Sequence, residues 1–448
     1  MFKHTFNLFS KQEKKWLLLS GFIFLSIAVF FPTIYGQPFW DDWIYIFRND
    51  YFYNHSFLTY FPGGKLSRSW PLFYTSMWFF LRIFGSHYFL YHLASLILHG
   101  INGFFIFRLG SQLKFRWPLL VAVLYMVHPA HLMTLGWIMQ FKTILSIFFL
   151  LSAIQTLIWY YHSTKSAHYL LALFFFTCSL FSKATTVCFL FTVPFLYPRF
   201  KERIERKKLL LLTAPFIVIG LAALARTVWS YTGNIVSANY LADMFVERIH
   251  LSMKVFTRFI EILFIPARNI LFQKRVQLNY TSREFLEIFV GISLVFSFGR
   301  IIFEKQNALL KGSFLFFMAA LLPFCGIVDI PIFAFSNLVP YWWSIPALGL
   351  LPIIDYYTNS KKILIAAIVY FAAISHIQSY AFKSPDKILV DSIKHSPTNR
   401  TFYVALIEHY VYSGDCKKAQ AAYEELTKLS ATMEVPLLTK VRRCIPMP

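Results

Sequence analysis

The chain has 448 residues, is 57% hydrophobic and 14% charged, carries a formal net charge of +22, and contains 52 Phe and 25 Tyr. Apolar runs of about 18 residues or more recur from Trp16 to Tyr380, which excludes a soluble domain and predicts an all-α polytopic membrane protein. The surplus Lys and Arg fall in short clusters between apolar runs, the positive-inside pattern, so no nucleic-acid partner is expected.

In chain order, Lys11, Lys14 and Lys15 precede the first apolar run and predict a cytoplasmic N-terminus. Residues 16–36 are long for a signal-peptide core and lack a small-residue cleavage site, so they read as a retained anchor. Basic clusters at Arg108/Lys114/Arg116, Lys165, 199–208, Arg300/Lys305/Lys311 and Lys361/Lys362 are placed inside. Between them fit spans near 16–36, 88–112, 117–130, 140–161, 167–182, 184–199, 209–228, 285–303, 312–326, 337–356 and 362–381. About eleven crossings put the C-terminus outside. The segment 71–85 is apolar but short and reads as a helix on the outer membrane surface. The segment 246–265 is apolar yet carries Glu247, Arg248, Lys254, Arg258 and Glu261, which suits an interfacial or re-entrant helix. The outward segments hold a few acids beside many cations, a balance suited to an anionic amphiphile.

The composition turns hydrophilic after Lys383, dividing the chain into a transmembrane domain, 1–382, and an extracytoplasmic tail, 383–448. Residues 401–429 read as an amphipathic α-hairpin, with Tyr410, Gly414-Asp415, Ala419, Ala422 and Tyr423 at tetratricopeptide positions. One such repeat cannot bury its own apolar face, so it must pack on the membrane domain or on a partner. Cys178, Cys188 and Cys325 sit in apolar surroundings and read as packing residues. Cys416 and Cys444 lie in the tail, where antiparallel packing would let them form a disulfide in an oxidising compartment.

Four constellations could carry chemistry. Phe39-Trp40-Asp41-Asp42-Trp43 follows the first span, and paired carboxylates beside a bilayer are expensive to keep. One of them would bind a divalent metal or take a proton from an attacking hydroxyl. The plainer alternative is a helix cap flanked by interfacial tryptophans. His92, Ser95, His99 and Asn102 share one helix face. Interhelical hydrogen bonding explains His99 and Asn102, while His92, nearer the outer surface, could reach a headgroup. His128 and His131, followed by Trp137, make an incomplete metal site, or simply a helix end broken by Pro129. Lys183, after Ser182, either snorkels or holds a phosphate.

The order of these pieces resembles the integral-membrane glycosyltransferases of the GT-C class, and within it the protein O-mannosyltransferase-like enzymes with C-terminal tetratricopeptide repeats and their bacterial relatives. The elements that match are Phe39-Trp40-Asp41-Asp42, Pro71-Leu72 through Gly85, Tyr91-His92-Leu93 through His99 and Asn102, His128-Pro129-x-His131 with Trp137, and Ser182-Lys183. They cover roughly residues 1–200. The resemblance implies transfer of a sugar from a polyprenyl-phosphate carrier to a protein, glycan or lipid acceptor on the extracytoplasmic face, with inversion. In that reading Asp41 is the leading acid, with Asp42 as its partner, and Asp41 is the candidate ligand for a divalent cation, Mg or Mn. Arg48, Lys65, Arg68, Lys142 and Lys183 are candidate phosphate holders, with His92, His128 and His131 as further substrate-binding candidates. The expected location is a bacterial inner membrane, with active face and C-terminus periplasmic and the tail open to an envelope protein partner. The chain departs from the family at Met133, where a glutamate is usual, and at Trp70, where an arginine is usual. It departs again around Pro340-Tyr341-Trp342, in place of an Asp-Arg-Tyr element. Either Asp243, Glu247 or Asp329 supplies the second acid, or the chain is a non-catalytic scaffold presenting its tail.

Overall fold

The computed structural model describes residues 11–49, 54, 70–196, 206–231, 245–266, 281–325 and 339–429. Every regular element among them is helical. Seven helices are long and apolar enough to cross a membrane: Gln12–Tyr35, Tyr88–Gln112, Ile138–Ser163, Lys207–Thr227, Phe285–Glu304, Ala308–Cys325 and Lys361–Lys383. An eighth results if Pro118–Val127 and Pro129–Gly136, bent by 49°, count as one span. The described chain is thus an all-helical membrane protein, and the helices leave residues such as Phe24, Phe174, Val218, Phe296 and Val369 exposed where lipid would solvate them.

Helix α1 (Lys11–Phe30) is followed by α2 (Pro71–Phe84) and by α3 (Tyr88–Gln112), which packs against α1. Gly100 makes that contact possible, since a Cβ there would lie 2.5 Å from the Ile23 Cα. Small residues let membrane helices approach closely, where dispersion and interhelical hydrogen bonds hold them. Ser26 adds one such bond, its Oγ donating to the Leu96 carbonyl at 2.8 Å. Helix α4 (Pro118–Val127) starts on a proline, and the preceding Arg116 and Trp117 amides each donate to the Asp355 carboxylate at 2.7 Å. The chain breaks at Pro129, makes a 3-10 turn and the short α5 (Leu132–Gly136), and returns through α6 (Phe141–Ser163) and α7 (Ser166–Ser182). Proline explains the bend, because it removes an amide donor and crowds the preceding turn.

The later helices are α8 (Val193–Leu196), α9 (Arg206–Tyr231), α10 (Phe245–Phe264), α11 (Ser282–Glu304), α12 (Ala308–Leu321), α13 (Pro346–Tyr357) and α14 (Lys361–Ser379). Four of the eleven expected spans, 117–130, 167–182, 184–199 and 337–356, are not continuous helices of spanning length. The region 184–199 holds a 3-10 stretch, Ala184–Phe191, and the four-residue α8, while 337–356 holds a 3-10 turn, Pro340–Trp343, and the 12-residue α13. Prolines at 194, 340, 346 and 352 interrupt both. Helix α7, at 17 residues, is also shorter than a usual span. Segment 71–85 is helical as expected, and α10 is amphipathic, burying Val255, Phe256, Phe259 and Ile262 while Glu261 and Phe264 stay exposed.

The tail folds as α15 (Pro385–His395), α16 (Arg400–Ser413) and α17 (Cys416–Leu429). Gly414 ends α16 at φ +81°, a conformation glycine adopts without strain, and so allows the α16–α17 hairpin. Phe402, Leu406, Tyr410, Ala419 and Leu426 share one apolar cluster with Phe39, Trp40 and Trp43 of the first loop. The division expected at residue 382/383 therefore marks a change of composition and not a gap in packing. Cys416 is disulfide-bonded, Cys178, Cys188 and Cys325 are free thiols, and Cys444 lies outside the described residues.

The α1–α3 contact predicts that Gly100→Ala destabilises the protein by about 1–3 kcal/mol, because backbone has to move to admit the methyl group. Gly21→Ala, with nothing within 4 Å of the new Cβ, should be neutral or slightly stabilising. Thermal unfolding of both variants in one detergent checks the pair. Equal midpoints would remove the close-packing argument.

Candidate functional site

After α1 the chain makes a 3-10 turn, Phe31–Tyr35, and then a strained corner. Trp40 has φ +51°, a left-handed conformation uncommon for a bulky residue. Its ring lies parallel to Trp137, 4° apart in plane and 5.7 Å between centres. Next comes a π-helical turn, Trp43–Phe47, closed by the Arg48 amide donating to the Trp43 carbonyl at 2.8 Å. Strained residues and π-turns both concentrate at functional sites. Here they flank Asp41 and Asp42 on either side.

The two aspartates do different jobs. Asp42 is buried, and its oxygens accept from the Phe39 amide at 3.1 Å and the Met139 amide at 2.8 Å. It ties the corner to itself and to the turn that opens α6. Burial pushes its carboxyl up to about 8, opposed by those amides. Asp41 is half-buried and makes no hydrogen bond among the described residues. Burial raises its carboxyl to about 6, with the Lys142 ammonium opposing and the Glu408 carboxylate adding to the rise.

Lys142 comes from the first turn of α6, with its Nζ 3.7 Å from the centre of the Trp70 ring and near enough to both aspartates to attract them. Trp70, standing where the family's arginine was expected, thus holds the cation by its ring face. Lys183, at the end of α7, donates to Thr143 Oγ1 at 2.8 Å and lies 5.1 Å from the Tyr341 ring centre. Its charge and that of Lys142 repel. Glu408 reaches the site from α16, buried within the tail's packing face. Sequence reasoning missed it. Its one local signal is a carboxylate inside the run Ala405-Leu406-Ile407-Glu408-His409-Tyr410, every member of which is buried.

The remaining candidates are placed elsewhere. His92 is buried beside Gly36, with Nδ1 3.3 Å from the Leu135 carbonyl. His99 Nε2 meets the Met126 carbonyl at 3.0 Å, and Asn102 donates to the Ile144 carbonyl at 3.0 Å, so this stripe binds helices together. His128 does not share a ligand position with His131. Its Nδ1 accepts from the Ala130 amide and its Nε2 sits 2.9 Å from the Leu263 carbonyl, whereas His131 Nδ1 meets Ser344 Oγ at 3.0 Å. That arrangement is the plainer one, a helix end broken at Pro129, with each ring satisfied by a different neighbour. Arg48 is exposed, its guanidinium 6.0 Å from the Trp43 ring centre. Lys65, Arg68, Asp243, Asp329 and Cys444 lie outside the described residues, as does the side chain of Glu247.

A divalent cation at Asp41 does not fit the donors among the described residues. Among the described residues no three His, Cys, Asp or Glu side chains converge on one point. Asp42 has both oxygens engaged by amides, and an ammonium stands beside Asp41. The arrangement suits a single carboxylate that exchanges a proton next to a cation.

The split roles are testable. Asp42→Ala orphans two buried amides and should lower stability by about 2–5 kcal/mol. Asp41→Asn should have the opposite sign. Asp41 titrates near 6 folded and near 3.8 unfolded, so the folded state holds an extra proton between those values and stability falls as pH rises through that window. Above pH 6 the variant should therefore unfold at a higher temperature than wild type, and the gap should close as pH drops towards 4. A destabilised Asp41→Asn at pH 7.5 would refute the assignment. Compared with family models, curated proteins and solved structures, the chain matches none.

Proposed function

We propose that the chain is a glycosyltransferase of the GT-C type, moving a sugar from a polyprenyl-phosphate carrier to an acceptor hydroxyl on the extracytoplasmic face. The observation that carries the reading is the Asp41 carboxyl: strained into place, without a hydrogen bond among the described residues, and titrating near 6 beside Lys142. A base poised near the working pH accepts a proton efficiently. In the reaction the acceptor O–H bond breaks and its proton passes to Asp41. The acceptor oxygen bonds to the anomeric carbon, and the carbon–oxygen bond to phosphate breaks, its electron pair leaving with the polyprenyl phosphate. Lys142, the cation that acts on Asp41, would stabilise the departing charge, and Lys183 reinforces the positive field.

The topology belongs to the same proposal. Arg116 meets Asp355 at one end of the bundle, while Asp42 meets Met139 near the other. The positive-inside rule puts the Arg116 end in the cytoplasm and the Asp41 end outside. Eleven passes then alternate through the membrane, with 118–136, 184–196 and 340–357 as the broken ones. A disulfide at Cys416 supports an oxidising compartment such as a periplasm for the tail. The α16–α17 hairpin is the tetratricopeptide-like element.

The rival reading is a non-catalytic scaffold that offers its tail to an envelope protein. It is favoured by the aromatic packing of Trp40, Trp137 and Tyr341 and by the ring faces that already engage Lys142 and Lys183.

Purified protein in lipid nanodiscs, assayed against a panel of polyprenyl-phosphate sugars with a hydroxyl acceptor, separates the two. The transferase should turn over one donor at least, with a rate that rises as pH increases through about 6. Asp41→Asn should lower it by about 100-fold or more. No transfer from any donor, or a variant within a few-fold of wild type, supports the scaffold.

A further inference from the structure

The start of α6 carries a polar residue at every third position. Gln140, just before the helix, and Thr143 and Ser146 within it share one face, while Phe141, Ile144, Leu145 and Ile147 around them are apolar. Opposite stand the end of α7 and the 3-10 stretch that follows it, with Ser179, Lys183 and Thr186. Every one of these polar residues is buried.

Hydrogen bonds join the two sides in a ladder. Ser179 Oγ donates to the Ser146 carbonyl at 2.7 Å, and Ser146 Oγ donates to the Thr143 carbonyl at 2.8 Å. On the other side Thr186 Oγ1 donates to the Lys183 carbonyl at 3.0 Å. The last rung, Lys183 Nζ donating to Thr143 Oγ1 at 2.8 Å, differs from the rest because one partner is charged.

Proton counting fixes the direction of the bonds at that rung. An ammonium only donates, so Thr143 Oγ1 accepts. The hydroxyl has one proton of its own, which goes to Gln140 Oε1 at 3.0 Å. The Thr143 oxygen is thereby turned with a lone pair on Lys183, and each bond in the chain polarises the next. Neutral rungs such as Ser179 on Ser146 suffice to hold two membrane helices together. A charge in the same ladder is expensive, and this one is also pressed by the like charge of Lys142. It belongs to the candidate site: the Tyr341 ring beside Lys183 packs on Trp137, which stacks on Trp40 next to Asp41.

We propose that Thr143 is the positioning residue of Lys183, its oxygen turned by Gln140 to hold the ammonium while the remaining N–H groups meet the phosphate of the carrier. The assignment rests on the transferase reading and adds Thr143 and Gln140 to its machinery. Neither touches substrate; both act through Lys183.

The test measures binding with no sugar present, so it does not depend on turnover. Full-length protein in nanodiscs is titrated by calorimetry with geranyl phosphate and with geraniol, its uncharged counterpart, with empty nanodiscs as the blank. The phosphate should bind the more tightly. Thr143→Val, nearly the same shape without the acceptor, should weaken geranyl phosphate about tenfold or more and leave geraniol unchanged. Thr143→Ser, which keeps the oxygen, should restore the affinity, and Thr143→Ala should repeat the loss if valine prevents folding. In a Lys183→Gln background Thr143→Val should have no further effect, because it acts through the ammonium. Absence of saturable binding by geranyl phosphate, indifference to removal of the Thr143 oxygen, failure of serine to rescue, or a loss that persists in the Lys183→Gln background would each overturn the inference. Binding and rescue as expected without any sugar transfer would sink the transferase reading alone. Transfer that is unchanged in Thr143→Val would sink this inference alone.

Discussion

The Asp42 carboxylate is the fastening on which the rest of the site depends. With one oxygen on the Phe39 amide and the other on the Met139 amide, it joins the corner after α1 to the turn before α6. Those amides cannot be left without acceptors in a region from which water is excluded, so the clamp is enforced by desolvation as much as by attraction. Once Asp42 faces inward, its neighbour must project elsewhere. The left-handed Trp40 on one side and the π-turn on the other then fix where Asp41 points. The strain of that backbone persists because surrounding contacts hold it, above all the Trp40–Trp137 stack.

A bilayer supplies no hydrophobic force between helices, so the bundle is assembled by close approach and by buried polar bonds. Gly100 against Ile23, Ser26 on Leu96, His99 on Met126 and Asn102 on Ile144 are of that kind. The same economy explains the histidines. His92, His99, His128 and His131 each meet a backbone carbonyl or a hydroxyl, which leaves the His128–His131 pair as architecture around the Pro129 break. The tail merges its apolar face with the first loop's aromatics into one cluster.

The docking of α16 carries one consequence that bears on function. It brings Glu408 close enough to Asp41 to raise its proton affinity, a carboxylate supplied from the far end of the chain. A hairpin that is too small to bury its own face has become part of the site.

Much of this was legible in the residues. Apolar run length determined the helical membrane class and placed most helices, since a span must satisfy its own backbone and expose apolar side chains. The charge pair at 41–42 marked the candidate site, because buried carboxylates are costly anywhere near a bilayer. Gly414 marked the tail's turn. What the residues could not reveal is which partner each polar group would find. Asp42 is separated from its Met139 donor by 97 residues, His92 faces a carbonyl 43 residues away, and the Glu408 contact joins the two ends of the chain. Local pattern reports propensity and periodicity, which act over a few residues. The division of labour between two adjacent aspartates, and the site made by a tail folded back on the first loop, are set by long-range packing that only the tertiary structure decides.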